Sequence, residues 1–188
     1  MHAPSSCSRT FVSFLVVALA VGCGDGGLPP TDDAAVTDAS TIDAFDPYAT
    51  PEVCSSGATW THGDIGSALM HPGRACITCH ATNFRAPRFT VVGTVYPTAH
   101  EPDDCNGVNG FNEDVHILVI DANGVVQDLL PNDVGNFGSG DVTALPITAQ
   151  ITYQGRSRTM TIPANSGDCN SCHTDQGTNA APGRLMLP

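Results

Sequence analysis

The sequence predicts a mainly β fold: a small antiparallel β-sandwich, flanked by two loop-rich Cys-x-x-Cys-His segments and preceded by a disordered N-terminal tether. Three observations predict it. Between residues 89 and 162 the chain is a series of short β-branched and aromatic runs, a composition suited to a pleated, half-buried surface. Glycine-containing dipeptides of hairpin type punctuate those runs. No internal segment has the length and the 3.6-residue apolar period of a long amphipathic helix, and Pro72, Pro87, Pro97, Pro102, Pro131, Pro146, Pro163 and Pro182 break up the rest.

Residues 1–22 read as an export signal. His2 and Arg9 make a weakly basic start, and Phe11 to Val21 is an apolar run of eleven residues. A helix of that length is too short for a hydrocarbon core of about 30 Å, and no second hydrophobic run follows. Leu19-Ala20-Val21-Gly22-Cys23 resembles a lipoprotein signal, with Ala20 where leucine is usual, which makes Cys23 the expected lipidated N-terminus. Ordinary cleavage after Ala18-Leu19-Ala20 is the alternative and leaves Cys23 a free thiol. Residues 23–53 are rich in Asp, Ala, Thr, Pro and Gly, without sustained apolar periodicity, and read as a disordered acidic linker. Asp25 to Glu52 holds seven carboxylates and no basic residue.

The folded body is expected over 54–188. Phe89 to Tyr96 is its first strand, and Asp114 to Asp121 the second. Asn123-Gly124 supplies the positive φ angles of a tight turn, and Val125 to Leu130 returns. Ile147–Tyr153 and Arg156–Ile162 form a further pair, turning at Gln154-Gly155. In the former, Ile147, Ala149, Ile151 and Tyr153 point one way, and Thr148, Gln150 and Thr152 the other.

The formal net charge is −12, lysine is absent, and all seven basic residues are arginines. That balance excludes nucleic acid, whose phosphates need clustered cations, and a basic patch for an anionic membrane surface. Any membrane attachment is then through the N-terminal lipid alone.

Eight cysteines divide by position. Cys7 leaves with the signal and Cys23 takes lipid. Cys54 and Cys105 are an even pair in an oxidising compartment, where a disulfide is the default. The other four lie in Cys76-Ile77-Thr78-Cys79-His80 and Cys169-Asn170-Ser171-Cys172-His173. Two thiols three positions apart can each add to a vinyl group at one haem edge, while the next residue, a histidine, reaches the iron from one face. Two such motifs in an exported chain point to two covalent c-type haems, with His80 and His173 as proximal ligands. One tetrahedral zinc held by Cys76, Cys79, Cys169 and Cys172, two small disulfides, or a redox dithiol pair are the alternatives. Met70 and Met160 are candidates for sixth iron ligands. Each precedes a motif by a proline-containing stretch, Met70-His71-Pro72-Gly73 and Met160-Thr161-Ile162-Pro163, and His71 is the rival at the first site. A thioether would raise the reduction potential. His62, His100 and His116 sit in polar or strand contexts.

With these motifs in view, the chain resembles exported c-type haem lipoproteins of Gram-negative bacteria, whose members have a transthyretin- or carboxypeptidase-regulatory-like β-module between two Cys-x-x-Cys-His sites. The resemblance spans roughly residues 54–188. It rests on Met70 to Gly73, Gly93 to Tyr96, Gly135-Asn136-Phe137, Gly167 to Thr174 and Ala181 to Arg184; His71 departs from it, standing where a small polar residue is expected. It implies a fold and a haem cofactor more than a role; the reading that the residues favour is a cell-envelope electron carrier, periplasmic or at the outer surface, that serves redox partner proteins. The chain has no further acid–base or nucleophile constellation, which favours a carrier over a small peroxidase-like haem enzyme. A surface binding module, with haem, zinc or disulfides as staples for a small core, is the third possibility.

Overall fold

The computed structural model describes residues 52–55 and 66–188. The signal, Cys23, His62 and all but the end of the acidic linker lie outside these described residues. Among the described residues seven strands form two sheets. In chain order they are β1 (Val91–Tyr96), β2 (Val115–Ile120), β3 (Val126–Leu129), β4 (Asn136–Ser139), β5 (Thr148–Tyr153), β6 (Arg156–Thr159) and β7 (Leu185–Met186). Two short helices, α1 (Cys76–Thr82) and α2 (Gly110–Glu113), and a 3-10 turn at Cys169–Ser171 complete the regular structure. Among the described residues no helix is long and apolar enough to cross a membrane.

The larger sheet has the order β3-β2-β5-β6 and is antiparallel throughout. Alternation along β2 sets its faces: Val115, Ile117 and Val119 are buried, whereas His116, Leu118 and Ile120 are half-buried. Ile117 faces Ile151 on one side and Leu129 on the other, so the apolar rows line up across the sheet. The smaller sheet has β1 at its centre, with β4 antiparallel on one edge and β7 parallel on the other. That parallel pair departs from the all-antiparallel expectation. It arises because the chain returns to β1 only after the second Cys-x-x-Cys-His motif.

Val91, Val95 and Phe137 of the smaller sheet and Val115, Ile117, Val119, Ile147 and Ile151 of the larger sheet and its approach form one apolar cluster. Each such side chain contributes about 1.5–3 kcal/mol on full burial. All six residues of β1 are buried, so its outer face is covered as well. There, Thr94 Oγ1 accepts from Gly73 N at 2.9 Å and donates to Asn136 Oδ1 at 2.8 Å.

The turns follow two chemistries. Gln154 (φ 50°) and Gly155 (φ 74°) both take the left-handed conformation of a two-residue hairpin. At the other turn only Gly124 has positive φ (78°), contrary to the expectation for Asn123. The Asp121 carboxylate organises that loop instead, accepting from Asn123 N, Val125 N and Ala144 N at 2.8–3.1 Å. Burial opposes the charge of Asp121, but these backbone donors hold its carboxyl below the ordinary range.

Cys54 and Cys105 form a disulfide with Cα atoms 5.1 Å apart. Val53 exchanges hydrogen bonds with Asp104, and Ser55 donates to Asp103 Oδ2 at 2.9 Å. Glu52 and Val53, placed by the sequence in the linker, are therefore part of the body. The strand expected to reach Ile162 stops at Thr159, and Ile147 pairs with Ala164 instead.

Candidate haem-attachment sites on one strand

The first motif is helical, where the sequence led to a loop. On α1, Cys76, Cys79 and His80 stand at i, i+3 and i+4, which places them on one face. Ala75 provides no side-chain cap for this seven-residue helix. The cap comes from Asp168, whose Oδ2 accepts from Ile77 N at 2.9 Å and Thr78 N at 3.2 Å. His80 Nδ1 lies 2.8 Å from Pro87 O. A carbonyl only accepts, so in the neutral ring Nδ1 carries the proton and the lone pair is on Nε2. The Phe89 ring flanks the imidazole at 5.0 Å, and Arg88 donates to His80 O at 3.0 Å.

The second motif leaves the edge of β1. Val92 N donates to Gly167 O at 2.9 Å, and the next amide along that edge, Thr94 N, donates to Asn170 Oδ1 at 3.0 Å. A Cβ on Gly167 would stand 1.8 Å from Thr90 O, so only glycine allows this approach. The chain then turns through Cys169–Ser171, and His173 N donates to Cys169 O at 2.9 Å. His173 Nδ1 lies 2.8 Å from Gly183 O. The same reasoning gives the same tautomer as at His80. Two motifs in different local structures thus hold their histidines alike, with Nε2 as the acceptor.

Beside the second motif is a cavity of about 600 Å³, within the range of small-molecule and cofactor sites. Core side chains Ile117, Ile147 and Phe137 line it, together with Cys169, Cys172 and His173. Met160 lines it too, as does Met186, which sequence reasoning missed. Nothing local marks Met186; only the parallel pairing of β7 with β1 brings it there.

The remaining candidates lie elsewhere. His71 is buried, with φ 43°, and its Nδ1 is paired with the Glu52 carboxylate, to which Arg74 also approaches. Burial disfavours the Glu52 charge, but the His71 hydrogen bond and the His71 and Arg74 charges bring its pKa below the ordinary value. Half-buried Met70 offers its carbonyl to Asn136 Nδ2 at 3.0 Å and is not part of the cavity that holds His173. His100 is exposed and His116 pairs with Asp128.

The four motif cysteines carry no disulfide. Burial first, and then the negative charge of Asp168, pushes the Cys76 and Cys169 thiols up to about 12. Cys79 is raised by the same two causes. Among the described residues these cysteines do not converge on one point as a tetrahedral zinc would require; the one convergent group is Cys54, Asp103 and Cys105, whose sulfurs form the disulfide. No family model, no curated protein and no solved structure matches the chain.

Proposed function

We propose that the chain is an extracytoplasmic c-type cytochrome-like electron-transfer protein that carries two covalent haems, one at Cys76, Cys79 and His80 and the other at Cys169, Cys172 and His173. The observation that carries this reading is the shared treatment of the two histidines, each with Nδ1 held by a backbone carbonyl at 2.8 Å. That arrangement fixes ring direction and tautomer for a metal on Nε2, as the outer partners of ligating histidines do. The apolar cavity beside Cys169, Cys172 and His173 supports it, since a planar apolar group there would complete the core between the sheets. Haem c, when bound, supplies a one-electron iron couple.

The chain's own residues would do the rest. Four cysteines form thioethers, and two imidazoles are presented at fixed angles. Met160 and Met186, which line the cavity beside the second site, are the candidates for a sixth ligand there, and Met70 and His71 are the candidates at the first. Lipid on Cys23 and the acidic linker would tether the body to an envelope membrane, periplasmic or at the outer surface, and raise its effective concentration near redox partner proteins.

Double variants test the assignment. In protein matured in an export host with haem-attachment machinery, intact mass should show two haem adducts on the native chain. Cys76→Ser/Cys79→Ser and Cys169→Ser/Cys172→Ser should each retain one. A native chain of unmodified mass that contains zinc would overturn the proposal.

A further inference from the structure

The two motifs are far apart in sequence and knitted together in space. Asp168, 4% exposed, precedes the second motif directly, yet its carboxylate caps the helix of the first. Asn170, 2% exposed, lies between the cysteines of the second motif. Its Nδ2 donates to Arg74 O at 2.9 Å, just ahead of Cys76, and to Thr94 Oγ1 at 3.0 Å. Its Oδ1 accepts from Thr94 N. Thr94 Oγ1 in turn accepts from Gly73 N, so the approach to the first motif hangs on the same side chain.

We infer that Asp168 and Asn170, which by sequence belong to the second attachment site, are positioning residues of the first, so that the two sites are built as one unit on β1. This rests on the dihaem reading for its functional meaning. Three facts point the same way. The seven-residue α1 is too short to be stable alone, and its own N-cap residue, Ala75, makes no side-chain capping hydrogen bond. The amides that Asp168 receives are those a helix start leaves unpaired. Asn170 makes three hydrogen bonds while buried, and each reaches either β1 or the first motif. None serves its own turn.

Hydrogen exchange on the dihaem protein, read by mass spectrometry over segments 76–82, 115–120 and 169–174, separates the possibilities. Asp168→Ala should speed exchange of 76–82 roughly tenfold to a hundredfold, the scale for losing charge-assisted hydrogen bonds at a partly buried helix start, while 115–120 keeps its protection. Asp168→Asn, whose side-chain oxygen still accepts from both amides, should restore most of the protection. Asn170→Ala should also loosen 76–82. An Asp168→Ala protein that exchanges faster only over 169–174, or nowhere, overturns the inference. If Asp168→Ala loses protection over 115–120 as well, the inference requires Asp168→Asn and Asn170→Ala to behave as stated, and fails if Asn170→Ala leaves 76–82 unchanged. Haem content measured on the same samples tells a failure of this inference from a failure of the dihaem reading.

Discussion

At the scale of single residues, the two imidazoles depend on carbonyls that belong to unremarkable loops. Gly183 is the more exacting of the two partners. Its φ is 145°, and a Cβ there would stand 2.5 Å from Ala99 O, so the backbone that aims its carbonyl at His173 tolerates no side chain. Gly183→Ala should shift that carbonyl and release His173 Nδ1. With haem attached, histidine affinity for iron at the second site should fall about 10–100-fold, the usual cost of losing such a partner. A guanidinium titration followed in the Soret band should show one of the two haems losing histidine at lower denaturant than in the native chain. Coincident transitions would contradict this role. The Cys-x-x-Cys-His spacing is a local pattern and was readable from the sequence. The roles of Gly183, Pro87 and Glu52 were not, because each depends on how separate loops meet.

At the scale of elements, legibility followed side-chain chemistry. β2 and β5 carry β-branched alternation and were readable to within a residue at each end. β4, Asn-Phe-Gly-Ser, has one large apolar side chain, and β7 has two residues; both exist because β1 offers edges to pair with. α1 was missed because its cap comes from Asp168, which no local window contains. Across β2 and β3, His116 Nδ1 meets Asp128 Oδ1 at 2.8 Å, and Asp114 approaches Nε2 at 3.3 Å. The hydrogen bond to Asp128 raises the His116 pKa above its ordinary 6.5, outweighing burial, with help from Asp114. The folded value is thus the higher one. The stabilisation is complete below about 6.5, where the unfolded histidine is also charged, and is lost as pH rises through the folded value. The pair is partly exposed, so its contribution is under about 1 kcal/mol. The Tm difference between the native chain and His116→Gln should therefore be largest in mild acid and vanish in mild alkali. A difference independent of pH would contradict the assignment.

At the scale of the whole molecule, the sheets and the motifs are one construction. β1 contributes Val91 and Val95 to the core on one face, and Thr94 to the polar network beneath both motifs on the other. The disulfide between Cys54 and Cys105 joins residues 51 apart, and by shortening the free loop of the unfolded chain such a link is worth about 2–4 kcal/mol. The mainly β class was legible because hydrophobic alternation and turn residues are written locally. The convergence of two distant Cys-x-x-Cys-His motifs on one strand was not, since it depends on Asp168 and Asn170 reaching across the topology. The central claim concerns what those motifs hold. A pyridine haemochrome spectrum with haem-to-protein stoichiometry, on protein matured in an export host, tests it most directly. The account predicts two haems per chain, retained through acid–acetone extraction, with the α band of a haem bearing two thioethers; haem that extracts into acetone, or none at all, would contradict it.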